Sequence, residues 1–598
     1  MSDAAHHPMC AMPAPACPLP PQLAQPGRTC RLRLQFSIFF DGTNNNKDED
    51  KASLSHSNVA RLYDAARDEP GECIFRHYIP GVGTPFDAIG EDVPHEDGSS
   101  MGKMGAERIR FALISIANDI SRLLSGRLIY PESQIPSAVS HDGALGQCRQ
   151  LLIVASKRKP VVEEIVIDVF GFSRGATAAR SFVNQLLRYF CDAEGHYCGM
   201  KLRLRFMGLF DTVASVGLAD SFPVPGVEGH QDWGDEDLLV IPPQVERGVH
   251  FVAAHEGRNS FPVDLVLRKD KTYPANFEEV VYPGVHSDVG GGYGPGDQGK
   301  GYNEASGKDQ GAMLSQIALN DMYERAMRAG VALIPRKGFE EARLTADFSI
   351  TPALRDSFNH YMGSVRPLVD GKRVTEHMKV HRRYYLAWRR SVLSRTEFAQ
   401  QLCISRSRTG DPQGHVNLIA ANDELREQLA EWDRNARELA TYNQRVRDAR
   451  GAQEIHGPAA QDGVQYLGDW QHAPRLSPDL YRFFENYVHD SRAGFLMTDP
   501  VKQRDHDAIK ARLDHQDKNP IYDPKSGMHL NPLTPREREV LAIYRQNKHP
   551  IYTDEQPGAI SDGAINAIDV VAAVSRRREM RWSYLHPRQV FAYSRLKY

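Results

Sequence analysis

Two hydrophobic periods alternate along the first half of the chain, and each switch between them predicts a change from strand to helix. RLRLQFSIFF (31–40) closes on an unbroken apolar run and is stopped by the turn-rich DGTNNN, which is the pattern of a buried strand running into a loop. A helix is expected near 56–67, and ECIFRHYIPGVGT (72–84) reads as a second strand broken by Pro80 and two glycines. AERIRFALISIANDISRLLSG (106–126) carries apolar residues at helical spacing with a closing glycine. EEIVIDVF (163–170), ATAARSFVNQLLRYF (176–190) and LRLRFMGLF (202–210) then predict strand, helix and strand, one β-turn-α-β unit of the parallel type. VHFVAAH (249–255) and FEEVVYP (277–283) add two short strands, and AMLSQIALNDMYERAM (312–327) a closing helix. The expectation is an α/β domain over 31–330.

Beyond it the texture changes to long charged helices. Leu425, Leu429, Trp432, Ala436 and Leu439 repeat at 4-3-4-3 spacing, as in a helical hairpin or a short coiled coil. Residues 454–475, rich in Gly, Gln, His and Pro, read as a connection before the aromatic-rich YRFFENYVHDSRAGF (481–495). Residues 331–598 are therefore expected to form an appended, mostly helical region. The first 30 residues hold seven prolines and no apolar run, the composition of a disordered leader.

With 41% hydrophobic and 25% charged residues in 598, the composition is that of a folded globular chain and excludes disordered and collagenous classes. Lys+Arg 73 against Asp+Glu 76 leaves a net charge of −3, so no global field favours nucleic acid. Eight cysteines without a C-x-x-C pair make neither a disulfide framework nor a recognisable metal site, and imply synthesis in a reducing compartment. No secretory h-region and no stretch near the roughly 20 apolar residues of a spanning helix is present, so neither signal-peptide export nor membrane integration is expected.

Candidate chemistry centres on Gly171-Phe172-Ser173-Arg174-Gly175, which fits G-x-S-x-G between a predicted strand and a predicted helix. A serine at such a bend projects from the carboxyl edge of the sheet, and flanking glycines remove the Cβ atoms that a sharp turn would crowd. To act as a nucleophile it needs an imidazole in reach and a carboxylate to orient that ring. Asp211 stands at the exit of the next strand and His286 in the Gly-rich loop after a later one, which gives the order Ser, Asp, His of α/β-hydrolases. Asp288 is an alternative acid, and His489, in the cluster His489-Asp490-Ser491, an alternative base. The oxyanion donors expected are the N–H of Arg174 and those of Gly42 and Thr43 in FFDGTNNN, where Asp41 organises the loop. No cofactor and no metal are called for; VGGGYGPG (289–296) lacks the G-K-[ST] of a phosphate loop.

FFDGTNNN (39–46), YIPGVGT (78–84), GFSRGATAAR (171–180), GLFDTVASVG (208–217) and YPGVHSDVGGGY (282–293) stand in an order that resembles the Tle1-like lipase effectors of type VI secretion systems, whose catalytic domain is the DUF2235 hydrolase domain. The resemblance implies an α/β-hydrolase-like, mostly parallel sheet with an appended helical region. It also implies a phospholipase cleaving glycerophospholipid esters, with Ser173, Asp211 and His286 as its triad. It further implies an antibacterial toxin made in the cytoplasm and delivered by the secretion machine to the periplasm or membrane of a competitor. Its partners would be a spike or tube protein and a cognate immunity protein, and its substrate membrane phospholipid. Beyond about residue 330 the likeness is carried by VHDSRAGF (488–495).

An independent sign of lipid is modest. Residues 372–408 hold ten Lys/Arg against two Glu, with Val374, Met378, Tyr385, Trp388 and Val392 at helical spacing beneath Arg382, Arg383, Arg389 and Arg390. The pattern fits contact with anionic headgroups, and equally a domain helix that packs its aromatic stripe inward. Two other functional readings stand beside the phospholipase: a carboxylesterase or thioesterase on soluble esters, and an inactive hydrolase-fold adaptor of the secretion spike.

Overall fold

A computed structural model describes residues 31–91, 104–158, 160–214, 236–258, 261–268, 272–448, 467–494 and 584–591, with scattered positions between 510 and 546. The expected leader, with Cys10, Cys17 and Cys30, lies outside the described residues.

The apolar runs form strands β1 (Arg31–Phe40), β2 (Ile74–Ile79), β3 (Val161–Phe172), β4 (Leu202–Phe210), β5 (Gly248–Ala253) and β7 (Phe277–Tyr282), with a two-residue β6 (Val263–Asp264) outside the main sheet. The sheet order is β2-β1-β3-β4-β5-β7, and every neighbouring pair is parallel. Both faces are covered, which is why these strands read as continuous apolar runs instead of alternating ones. Leu34, Phe36, Ile38, Ile167 and Val169 join one core with the helices α2 (Gly105–Ser125), α3 (Gly143–Ala155) and α4 (Arg174–Phe190). Phe39, Phe170, Phe206 and Phe251 enter the opposite core with α1 (Asn58–Ala65) and α6 (Ser315–Ala329). Each such fully buried phenylalanine contributes roughly 1.5–3 kcal/mol.

Register sets the site. Phe40 pairs with Gly171, Phe172 with Phe210, Phe210 with Phe251, and Ala253 with Tyr282. The strands therefore end nearly level, and the residues that follow them, Asp41, Ser173, Asp211 and the 283–286 turn, gather on one carboxyl edge. This is where ligands enter open parallel sheets.

From Thr351 onward the described chain is almost wholly helical, including α7 (Pro352–Val369), α8 (Val374–Ser391), α9 (Leu402–Gly410), α10 (Pro412–Asp448) and α11 (Pro478–Tyr487). The heptad stretch is thus one helix, with Leu425 and Leu429 buried. Tyr361, Tyr385, Trp388, Phe483 and Phe484 form an aromatic core among these helices. Three of the four arginines of the α8 stripe are used internally and Arg383 is exposed: Arg382 reaches Asp469, Arg390 the carbonyls of Trp470, Gln471 and Ala473, and Arg389 is fully buried beside Asp490. Of the two readings of this segment, the inward-packed domain helix describes what is seen.

The chain divides into two compact units, Met1–Ala493 with Trp582–Tyr598, and Gly494–Arg581. The change of texture near 330 therefore lies within the first unit. In the second, Leu513, Leu533, Leu541 and Tyr544 form a small apolar cluster. No helix among the described residues is long and apolar enough to cross a membrane.

Candidate active site

Ser173 sits where β3 turns into α4, at φ 57° and ψ −126°, a left-handed conformation that a non-glycine residue adopts only when its surroundings enforce it. The enforcement is visible. A Cβ on Gly175 would lie 2.3 Å from the carbonyl oxygens of Phe40 and Asp41, and one on Gly171 2.5 Å from the carbonyl of Gly175. Both glycines are therefore required by close backbone approach. Ser173 N–H donates to the Phe210 carbonyl at 3.0 Å, and its carbonyl accepts from Val213 N–H at 3.3 Å, which ties the elbow to the exit of β4.

That exit presents Asp211, also at positive φ (42°). Its N–H donates to the Phe251 carbonyl at 2.7 Å, and its Oδ1 accepts from Ala253 N–H at 2.8 Å. Its Oδ2 faces His286 Nδ1 at 2.5 Å. Arg588, from the far end of the chain, donates Nη1 to Oδ1 at 2.8 Å and Nη2 to Oδ2 at 2.7 Å. Burial alone would raise the Asp211 pKa, but the Arg588 guanidinium and the His286 bond outweigh it and hold the carboxyl below its usual range. Asp211 is an anion at all physiological pH values.

His286 opens α5 (His286–Gly290), with its ring between Phe172 (centroids 4.6 Å apart) and Phe261 (5.0 Å). Its N–H donates to Glu256 Oε2 at 3.2 Å. Burial lowers its pKa; Asp211 opposes the shift, while Arg258 and Arg588 add to it. The ring is thus neutral, and with Nδ1 donating to Asp211, Nε2 is left as the acceptor, the tautomer a general base needs. Among the described residues no hydrogen bond joins Ser173 Oγ to His286. In ligand-free enzymes this contact is commonly long and tightens with substrate bound.

The expected oxyanion loop is placed beside the elbow. The Gly42 N–H, however, donates to Asp41 Oδ1 at 2.7 Å, and Thr43 Oγ1 accepts from Arg174 Nε. Arg174 is the first residue of α4, so its N–H points out of the helix N-terminus, where negative charge is favoured. Asp41 organises its loop as expected, accepting in addition from Ser57 Oγ at 2.5 Å and Tyr78 Oη at 2.6 Å. Burial pushes its pKa up to about 6 against these hydrogen bonds.

Asp288 and His489, named above as alternatives, meet each other. Asp288 Oδ1 faces His489 Nδ1 at 2.6 Å, and Oδ2 accepts the N–H groups of Val285 and His489 at 3.0 Å. The His489 ring stacks on Tyr293 with centroids 3.9 Å apart. Ser491 Oγ donates to Glu256 Oε1 at 2.8 Å, and Glu256 in turn receives the N–H of His286. VHDSRAGF thus braces the loop that carries His286. Sequence reasoning missed Glu256, Arg258 and Arg588: an arginine in HPRQVF gives no local sign that it will meet a carboxylate 377 residues earlier. Among the described residues the one grouping of potential metal ligands is Asp192, Glu194 and His196, mostly exposed on the turn beyond α4, roughly 25 Å of helix from Ser173.

A six-stranded parallel sheet covered on both faces, with Ser173, Asp211 and His286 at its carboxyl edge, is an α/β fold, here with an appended helical region. Residues 189–325 match the family model described as "T6SS, Phospholipase effector Tle1-like, catalytic domain". This is the family that the sequence motifs resemble; the match contains Asp211 and His286, and Ser173 lies before its start. A crystal structure of an uncharacterized protein from Pseudomonas aeruginosa is similar at 25% identity and TM-score 0.60, over 78% of each chain. The structure of the Tle1 effector bound to the VgrG spike is similar at 18% identity and TM-score 0.33, over 64% of this chain and 88% of that one, a superposition too loose to argue from. No curated protein matches.

Proposed function

We propose that the chain is a serine phospholipase acting as a type VI secretion effector. The observation that supports the reading most is the strained Ser173 elbow bonded through its backbone to the exit of β4, which presents an Asp211 carboxylate holding His286 in the base tautomer. His286 Nε2 takes the proton of Ser173 Oγ as that oxygen attacks the ester carbonyl carbon. The developing oxyanion meets the Arg174 N–H at the start of α4. His286 then returns the proton to the leaving alcohol, and a water repeats the sequence to free the fatty acid and Ser173. Asp211 stays ionised throughout and stabilises the imidazolium.

Glycerophospholipid as substrate, delivery into a competitor's periplasm, a spike or tube carrier and an immunity protein all follow from the family resemblance. Ser173→Ala should abolish phospholipid hydrolysis, a loss of about 10⁶-fold in kcat, while circular dichroism and the unfolding midpoint stay unchanged. Turnover retained by that variant would remove the serine mechanism. Mass spectrometry of the released lipids would identify the ester cut. Faster turnover on micellar phospholipid than on a soluble short-chain ester would separate a phospholipase from an ordinary esterase or thioesterase.

A further inference from the structure

Taking the triad reading as its basis, we infer that Arg588 is a positioning residue of the active site, and that the segment 584–591 is a strap which completes it. All four hydrogen bonds of the guanidinium go to this region: two to Asp211, one to the Ala253 carbonyl at 3.1 Å and one from Nε to the Phe261 carbonyl at 2.7 Å. The fork therefore fixes both oxygens of the triad acid, the end of β5 and the residue whose ring covers His286. The backbone around it is held as firmly. Val590–Phe591 forms a short parallel strand against β6, with Val263 N–H on the Gln589 carbonyl at 3.0 Å and Leu265 N–H on the Phe591 carbonyl at 2.8 Å. β6 reaches the triad loop in turn: Asp264 N–H donates to the Thr212 carbonyl at 3.0 Å, and Asp264 Oδ2 accepts from Ala214 N–H at 2.7 Å. Tyr584 Oη closes the other end on Asp490 Oδ2 at 2.7 Å.

The chemistry asks for such a group. With Arg588 absent, Asp211 keeps only the Ala253 N–H on Oδ1 and the His286 ring on Oδ2, and a buried carboxylate so held can tilt or take up a proton, either of which releases the ring from its tautomer. A bidentate guanidinium prevents both. It also adds a permanent positive charge near His286, which disfavours the imidazolium in the resting enzyme. The charged and titratable groups facing His286 are Asp211, Glu256, Arg258 and Arg588, with Asp288 on its own helix. Removing the arginine leaves the other four in place and raises the imidazole pKa, so the acid limb of activity moves to higher pH.

The test is the pH dependence of fluorophosphonate labelling at Ser173 in the full chain, with thermal unfolding as a check on the fold. Arg588→Gln should label roughly a hundredfold more slowly, with its acid limb displaced upward. Arg588→Lys, which keeps the charge but not the fork, should label about tenfold more slowly with the limb where the wild type has it. A folded Arg588→Gln protein with wild-type rate and limb would overturn the inference, as would wild-type labelling in Arg588→Lys. Failure of both variants to fold would make Arg588 a core residue instead and equally overturn it. Absence of labelling in the wild-type chain would sink the serine mechanism itself, an outcome distinct from all of these.

Discussion

Two of the Asp–His pairs among the described residues are buried in both partners and look alike in isolation. Asp211–His286 and Asp288–His489 both set a carboxylate oxygen 2.5–2.6 Å from Nδ1, and both histidines are almost fully buried. They differ in what surrounds them. The first stands at the end of β4, where the neighbouring Phe210 and Val213 hold the backbone of the strained Ser173, and Arg588 keeps its carboxylate ionised. In the second, Asp288 spends its remaining oxygen on two backbone N–H groups, Tyr293 lies flat on the imidazole, and His489 Nε2 is buried with no hydrogen-bond partner among the described residues. An Asp–His pair is thus a structural brace unless the free nitrogen of the ring has somewhere to send a proton.

Breaking the pairs one at a time should separate these roles. His286→Ala should lower kcat by about 10⁶-fold with a small change in unfolding midpoint. His489→Ala should do the reverse, costing about 1–3 kcal/mol of stability because Asp288 Oδ1 is left buried without its hydrogen-bond partner, while the folded fraction keeps activity within roughly tenfold. Parallel measurement of kcat and unfolding free energy decides between the assignments, and equal loss of turnover in the two would erase the distinction.

A second contrast is between the backbone of the elbow and its chemistry. Gly175→Ala should destabilise the fold by about 3 kcal/mol or more, because the new methyl meets carbonyl oxygens that cannot move aside. Activity and stability should fall together in a denaturant series, unlike the Ser173 variant. The smallest effect concerns Asp41. Its folded pKa of about 6 lies above the unfolded value, so the native state binds the extra proton between about pH 4 and 6 and stability drops as pH rises through that window. The drop is about 2–3 kcal/mol. Asp41→Asn should remove it, so the wild-type-minus-variant difference in unfolding free energy falls by that amount between pH 4 and 7.

Much of the α/β region is legible in the chain because its signals are local. An apolar run of the right length, a closing glycine or a G-x-S-x-G between strand and helix each states its own structure within about ten residues. That is why β1, β3, β4, α2 and α4, and the three triad candidates at their exits, stand close to where the pattern puts them. The ambiguities lay where a pattern serves two environments equally. The basic aromatic stripe of α8 fits a membrane or a core, and only its partners Asp469 and Asp490 decide for the core. The Gly42 N–H is a plausible oxyanion donor until Asp41 is seen to hold it.

The sequence by itself determined which segments become strands and helices and which residues end them, since those choices depend on near neighbours. Tertiary structure alone decided that Asp288 takes His489 across 201 residues and that Asp211 takes Arg588 across 377. Polar pairs of that separation leave no period in the chain. They are selected only when the register of the sheet and the closing strap bring buried polar groups together, where each is too costly to leave without a partner.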